Sequence, residues 1–270
     1  MPELPEVETL CRQLEKVIVG LRVRSVMIRD PKLGEQRGLE GKKVVRVRRL
    51  GKKIAVEFAD CTRLLIHLRM TGRLLWTVEE EKIPHTRMAI SLDRGNLYLV
   101  DPRRFATVSS DSCGGTAEGA DGTKIVGLSA EDLMTKARGK RRSVKTFLMD
   151  QRLVEGIGNI YACEILHHSR INPSKKAGDL TPGEWTKIVR SMNVILKKAV
   201  DCRGTTISDW RDLYGLPGEF QQKLRVYGRK GMPCFRCGST VVRIVLNGRG
   251  TFYCPSCQGG QGFSGDSSGA

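Results

Sequence analysis

The sequence has no apolar run approaching the roughly 20 residues that a membrane-spanning helix needs, so an integral helical membrane protein does not fit. An apolar stretch near the start is also missing. Glu3, Glu6, Glu8 and Glu15 stand where a secretory signal would carry its hydrophobic segment, and export is not expected. No internal repeat is found. Acidic side chains are few beside basic ones: 29 Asp and Glu against 46 Lys and Arg, a net charge of +17. Complete disulfide pairing within one chain is excluded, because the cysteines number nine. What is present is globular in balance, with 40% hydrophobic and 28% charged residues. At 270 residues the chain suits one large domain or two smaller ones.

The basic surplus points to a polyanionic partner, and its distribution adds detail. Residues 1–110 carry +8, residues 111–135 carry −4, and residues 136–257 carry +14. The acidic segment contains DSCGGTAEGADG, whose glycines read as a linker. Two modules holding one long anion would give this profile. Two ordinary solvated surfaces rich in Lys would also give it.

Five cysteines (Cys11, Cys61, Cys113, Cys163 and Cys202) are scattered singly and read as small inert residues in a reducing compartment. The other four form two Cys-x2-Cys pairs, Cys234 with Cys237 and Cys254 with Cys257. That spacing suits a four-thiolate zinc site. Between the pairs, TVVRIVLNGRGTFY reads as two strands joined at Asn247-Gly248, a strong hairpin signal. A hairpin would bring the knuckles face to face. Disulfides or a redox pair are the competing readings of these thiols.

Apolar residues at Leu4, Val7, Leu10, Leu14, Val17 and Ile18 predict a helix over 3–18, with Pro5 in its first turn. From about 21 to 108 short β-rich runs follow (VRSVMI, KKVVRVRR, KIAVEF, RLLIHL, RLLW, MAISL, LYLV), which predict a sandwich or barrel. Beyond the linker the pattern turns helical, opening at a cap formed by Ser129 and Asp132. The Gly/Ser-rich tail 258–270 is expected to be disordered. The expected class is α+β: an N-terminal helix with a β-sandwich (1–110), a linker (111–128), a helical domain (129–228) and a four-cysteine zinc hairpin (229–257).

The start, MPELPEVE, has chemistry of its own. Removing Met1 ahead of the small Pro2 would free a secondary amine, and an α-amine has a pKa near 8. Such an amine can attack an electrophilic carbon, and Glu3 and Glu6 lie within reach to move protons. Plain helix capping is the competing reading of the same residues. Elsewhere KKVVRVRRLGKK (42–53) has seven basic residues in twelve on a strand pattern and could track phosphates. HLRMTGR and DPRRF each combine Arg with a large apolar side chain, as a wedge that replaces an extruded base requires. Core packing is the alternative for Met70 and Phe105.

Together MPELPEVET, RRLGKK, IHLRMTG, DPRRF, LMDQRLVEGIGNIYACE and GRGTFYCPSCQ resemble the formamidopyrimidine-DNA glycosylases, in that family's order and nearly to Cys257. The resemblance implies a helix-two-turn-helix over about 143–168 and a base-excision enzyme. It would remove oxidised purines (8-oxoguanine and formamidopyrimidines) from duplex DNA and nick the abasic site by β,δ-elimination. It implies Pro2 as nucleophile, Glu3 as the acid–base residue, Glu6 as support and Lys52 near the lesion. His67, Asn159 and Arg249 would contact phosphates, and Met70, Arg103 and Phe105 would fill the gap left by the base. Lys145 and Tyr227 lie in matching segments as further DNA contacts, and Cys234, Cys237, Cys254 and Cys257 would hold one structural zinc. A cytoplasmic, nucleoid-associated monomer with damaged double-stranded DNA as partner and no membrane is the corresponding expectation.

Three departures stand out. The linker lacks the family's Gly-Pro-Glu-Pro run, Glu155 replaces a small apolar residue before Gly156, and the segment 205–222 matches the variable region that covers an extruded purine. Other readings remain: the same chemistry on oxidised pyrimidines or abasic sites, or a non-catalytic zinc-ribbon protein that binds nucleic acid.

Overall fold

A computed structural model describes residues 2–36, 38–112 and 127–259. The linker core and the expected tail from residue 260 onward lie outside these; Gln258, expected to open a disordered tail, is instead buried at the end of the last helix, donating to the Ile171 carbonyl at 2.8 Å. The first helix, α1 (Leu4–Ile18), buries Leu4, Val7, Leu10, Cys11, Leu14 and Ile18 on one face. At roughly 1.5–3 kcal/mol per fully buried large apolar side chain, that face supplies most of the helix's stability. Pro5 sits in the first turn, and Glu3 and Glu6 close the N-terminus as a capping box.

The strands that follow form two antiparallel four-stranded sheets. One has the order β1 (Val23–Ile28), β6 (Thr86–Leu92), β7 (Gly95–Val100), β5 (Arg73–Thr77). The other has the order β2 (Val44–Leu50), β3 (Lys53–Phe58), β4 (Thr62–His67), β8 (Thr107–Ser112). Their inner residues share one core with α1, including Val7, Leu14, Ile54, Ile66, Met88 and Leu99. The sandwich expected from the sequence is present.

Strand β8 extends two residues into the segment expected to be linker, because Asp111 pairs with Arg63 of β4 through two contacts of 2.8 Å. Only Val108 is buried in β8, so its TVSSDS pattern carries no alternating apolar signal.

The chain divides into two compact units that do not follow its order. The first comprises Met1–Lys124 with Leu196–Lys223, and the second Ile125–Ile195 with Leu224–Ala270. Segment 196–223 joins the first unit because Trp210 and Leu213 insert into the sandwich core.

The second unit begins with α2 (Ala130–Ala137), capped by Ser129 and Asp132. It continues with α3 (Val144–Met149), α4 (Asn159–Ser169) and α5 (Pro182–Asp201), whose residues from Leu196 onward belong to the first unit. Phe147 of α3 meets Trp185 of α5 edge to face at 5.4 Å. The hairpin strands β9 (Val242–Leu246) and β10 (Arg249–Tyr253) pair antiparallel, with a short α6 (Pro255–Gln258) after them. Asn247 and Gly248 have φ of 48° and 71°, the two left-handed residues of a type I′ turn.

Candidate active site and nucleic-acid interface

In the first unit, buried Pro2 leads into buried Glu3 and Glu6. The Glu3 N–H donates to Glu6 Oε2 at 2.8 Å, and Thr205 N–H donates to Glu6 Oε1 at 2.7 Å. Gly204 makes that approach possible: its φ is +81°, and a Cβ there would stand 2.7 Å from Glu6 Oε1.

Lys52 is 8% exposed and sits in the two-residue turn between β2 and β3, after Gly51 with φ 58°. Arg49 ties this turn to α1, donating to Glu8 Oε2 at 3.1 Å and to the Gly51 carbonyl at 3.2 Å.

His67 ends β4 opposite Lys53. Its pKa is pushed down to about 4, by burial first and then by the charges of Arg69, Lys53 and Lys52. The imidazole is therefore neutral at pH 7. Its Nδ1 accepts the Arg69 N–H at 3.0 Å, which assigns the proton to Nε2 and leaves an N–H donor there.

Met70 and Phe105 are 49% and 46% exposed, and the Arg103 guanidinium stacks on the Phe105 ring at 4.8 Å. These are solvent-facing side chains, unlike the core packing that sequence alone left open. Behind them lies a buried ionic network that sequence reasoning missed. Asp101 accepts from Thr71 Oγ1 at 2.6 Å and from the N–H groups of Phe105 and Ala106 at 2.7 Å each. Arg87 reaches Asp30 at 2.6 Å and Asp101 at 3.5 Å. The Asp of DPRRF was the available signal, but its partners lie far away in sequence.

Segment 205–222 is anchored. Gln13 donates to Asp212 Oδ2 at 2.9 Å and accepts from Leu213 N–H at 3.0 Å, while Leu213 O receives the Trp76 N–H at 3.0 Å. Ile207, Tyr214 and Leu216 remain exposed on it.

In the second unit, α3, a turn and α4 form the helix-two-turn-helix. Gln151 spans the turn, donating to Ile157 O at 2.7 Å and accepting from Gly156 N–H at 3.0 Å. Asn159, at the start of α4, donates to Gly250 O at 3.1 Å and accepts from Lys145 Nζ at 2.5 Å. Lys145 is 1% exposed and also donates to Thr251 Oγ1 at 2.8 Å, so its ammonium points into the joint between the helices and the hairpin. Beside this joint a cavity of about 340 Å³ is lined by Arg142, Lys145, Asp150, Arg152, Asn247 and Arg249 among others. It offers several cations against one carboxylate. Glu155 is exposed on the turn.

Tyr227 is half-buried, edge to face with Phe252 at 5.1 Å. Its N–H and those of Arg225 and Val226 all donate to the Glu164 carboxylate, at 2.8 to 3.0 Å. Burial raises the Glu164 pKa, against the opposing pull of these three donors.

The four thiols Cys234, Cys237, Cys254 and Cys257 lie within 4.8 Å of one another. Separations of 3.9, 3.5 and 3.4 Å between individual pairs approach the ~3.8 Å edge of a tetrahedron with Zn–S bonds of about 2.3 Å. The donor set fits one structural zinc. His167 Nε2 stands 3.5 Å from Cys234 Sγ, and Arg236 holds the His167 carbonyl at 3.1 Å.

A β-sandwich with a helix-two-turn-helix and a four-cysteine zinc hairpin, with Met70, Arg103 and Phe105 exposed and a cationic cavity beside the hairpin, is the architecture of a DNA glycosylase. Comparison with known proteins narrows this. Residues 1–108 match the formamidopyrimidine-DNA glycosylase N-terminal domain, 126–210 its helix-two-turn-helix domain, and 231–259 the zinc finger found in these enzymes and in isoleucyl-tRNA synthetase. The formamidopyrimidine-DNA glycosylase of Thermus thermophilus is 40% identical, over 96% of this chain and 99% of its own. A Lactococcus lactis variant in complex with Fapy-dG-containing DNA is similar at TM-score 0.84 and 32% identity, covering 96% of this chain and all of that one. The wild-type Lactococcus lactis protein, bound to DNA containing an oxidised pyrimidine, gives 0.83 and 32% over the same shares. The chain belongs to the formamidopyrimidine-DNA glycosylase family, whose members combine glycosylase and abasic-site lyase activities in base-excision repair. The four cysteines hold its structural zinc. Among the described residues no helix is long and apolar enough to cross a membrane.

Proposed function

We propose that this chain excises oxidised purines (8-oxoguanine and formamidopyrimidines) from duplex DNA and cleaves the resulting abasic site by β,δ-elimination. The observation that carries this reading is Pro2 placed directly before the buried Glu3–Glu6 pair at the head of α1. With Met1 removed, the Pro2 nitrogen attacks the anomeric carbon. The N–C1′ bond forms, the glycosidic bond breaks, and the base leaves with a proton. Glu3 protonates the ring oxygen as the sugar opens to the iminium. The iminium acidifies the neighbouring C–H; loss of that proton expels the 3′ phosphate, and a second such loss expels the 5′ phosphate. Glu6 holds Glu3 and segment 204–205 in place.

In this reading Lys52 and neutral His67 contact the backbone at the lesion. Met70, Arg103 and Phe105 fill the vacated stack. Arg249 on the cationic cavity and Asn159 at the start of α4 take a phosphate, with Lys145 acting through Asn159 and Tyr227 beside the hairpin base. The functional partition into 1–110, 111–128, 129–228 and 229–257, a monomeric state and a cytoplasmic, nucleoid-associated location belong to the same proposal. Borohydride trapping on a duplex carrying 8-oxoguanine tests it: a covalent adduct at Pro2 is expected, and no adduct there or on an abasic duplex would overturn it. A preference for oxidised pyrimidines is the second reading, favoured by the similar Lactococcus lactis protein bound to such DNA. Competition between the two lesions on one assay separates them.

A further inference from the structure

We infer that Asp101 is a positioning residue that fixes two base-displacing turns as one rigid element, joining the turn that presents Met70 to the turn that presents Arg103 and Phe105. The inference rests on the proposal that these three side chains occupy the gap left by the extruded base.

One oxygen of the carboxylate makes the join. Asp101 Oδ1 accepts from Thr71 Oγ1, next to Met70, at 2.6 Å and from the Arg103 N–H at 3.2 Å. Oδ2 accepts from the N–H groups of Phe105 and Ala106, at 2.7 Å each, and faces Arg87 Nη1 at 3.5 Å. Every partner is a donor, so both oxygens must accept. An ionised acid satisfies that requirement, whereas an asparagine would aim its NH2 at donors. The carboxylate is 1% exposed, and four donors and a guanidinium surround it.

The network continues outward. Arg87 also donates to the Ala106 carbonyl at 2.7 Å and to Asp30, and Arg104 forks onto Asp30 at 2.8 and 2.5 Å. Arg104, itself half-exposed, is thereby tied to Asp30, while Arg103 and Phe105 are held to Asp101 by their backbone N–H groups alone. Each turn also contains a non-glycine residue in the left-handed region, Arg69 at φ 56° and Arg104 at φ 58°. Such residues persist where surrounding contacts over-determine the backbone. Gly72 closes the first turn against Leu68, whose carbonyl oxygen would lie 2.5 Å from an added Cβ.

Stiffness is what a wedge needs. Opening a base step costs a few kcal/mol, and a loose loop would add its own ordering cost to that step. Two turns cross-linked behind their exposed tips meet the stack already in place.

The test compares two substrates in full-length protein: a duplex with a paired oxidised purine, and a duplex with a preformed abasic site, where no base remains to extrude. For Asp101→Asn the ratio of excision rate to abasic cleavage rate should fall roughly tenfold, and for Thr71→Val about threefold, as expected for lost buried hydrogen bonds. A 2-aminopurine opposite the lesion should report reduced insertion of the wedge in both variants. If Asp101→Asn does not fold, Thr71→Val decides alone. An unchanged ratio in folded variants, with the 2-aminopurine signal of the parent protein, would overturn the role of Asp101. Met70→Ala and Phe105→Ala run alongside: if they too leave the ratio unchanged, the wedge reading itself has failed, and the inference with it.

Discussion

The backbone N–H of Thr205 donates to the Glu6 carboxylate at 2.7 Å, joining residues 199 positions apart in sequence. The helix that begins at the candidate nucleophile is thus braced by a segment from the far side of the second unit's helices in the chain. The approach depends on glycine at position 204, where a Cβ would stand 2.7 Å from Glu6 Oε1.

Gly204→Ala should therefore be severe. Its φ of +81° and a Cβ contact of 2.7 Å with Glu6 Oε1 combine backbone strain of order 1–3 kcal/mol with displacement of the carboxylate. Denaturant unfolding should show the loss of stability, and trapping yield should drop even under conditions where the variant is folded.

Glu164→Ala leaves the N–H groups of Arg225, Val226 and Tyr227 without their acceptor. At about 1–3 kcal/mol for a buried unsatisfied group, the penalty should be comparable to that of an ordinary core truncation. Thermal unfolding and zinc retention both report it; Glu164→Gln should recover only part, since an amide places a donor against donors.

Arg249 lies at the hairpin tip, on the cationic cleft. If it neutralises one phosphate, Arg249→Ala should reduce the slope of log Kobs against log salt by about 0.9. Equilibrium binding to a duplex at several salt concentrations measures this directly.

His67 has a depressed pKa, so its sign is opposite to that of a paired histidine. Between the ordinary histidine value of 6.5 and about 4, the unfolded chain takes up a proton that the folded imidazole does not. Stability should fall as pH drops through that window and level off below it. Its NMR titration should show a midpoint near 4 rather than 6.5, and His67→Asn should remove this contribution to the pH slope.

Much of this was legible in the sequence. The apolar spacing of α1, the β-rich runs and the Asn247-Gly248 turn are local signals, and the two cysteine pairs identify each other by spacing. Strand β8 was not legible, because an edge strand with only Val108 buried carries no pattern. Nor was the Asp30–Arg87–Asp101 chain, since polarity alone does not tell which buried charge meets which. Lys145 illustrates the same limit. Its place in a family-matching segment suggested a DNA contact, while its burial and its bonds to Asn159 and Thr251 turn it inward.

The return of Leu196–Lys223 to the first unit has an evolutionary consequence. A sandwich cut from this chain at residue 124 would lose Trp210 and Leu213 from its interior and the brace on Glu6. A single recombination between the units cannot exchange one for a foreign counterpart without opening that interior. Two coordinated breakpoints are required, so the units are bound to be inherited together although each has a core of its own.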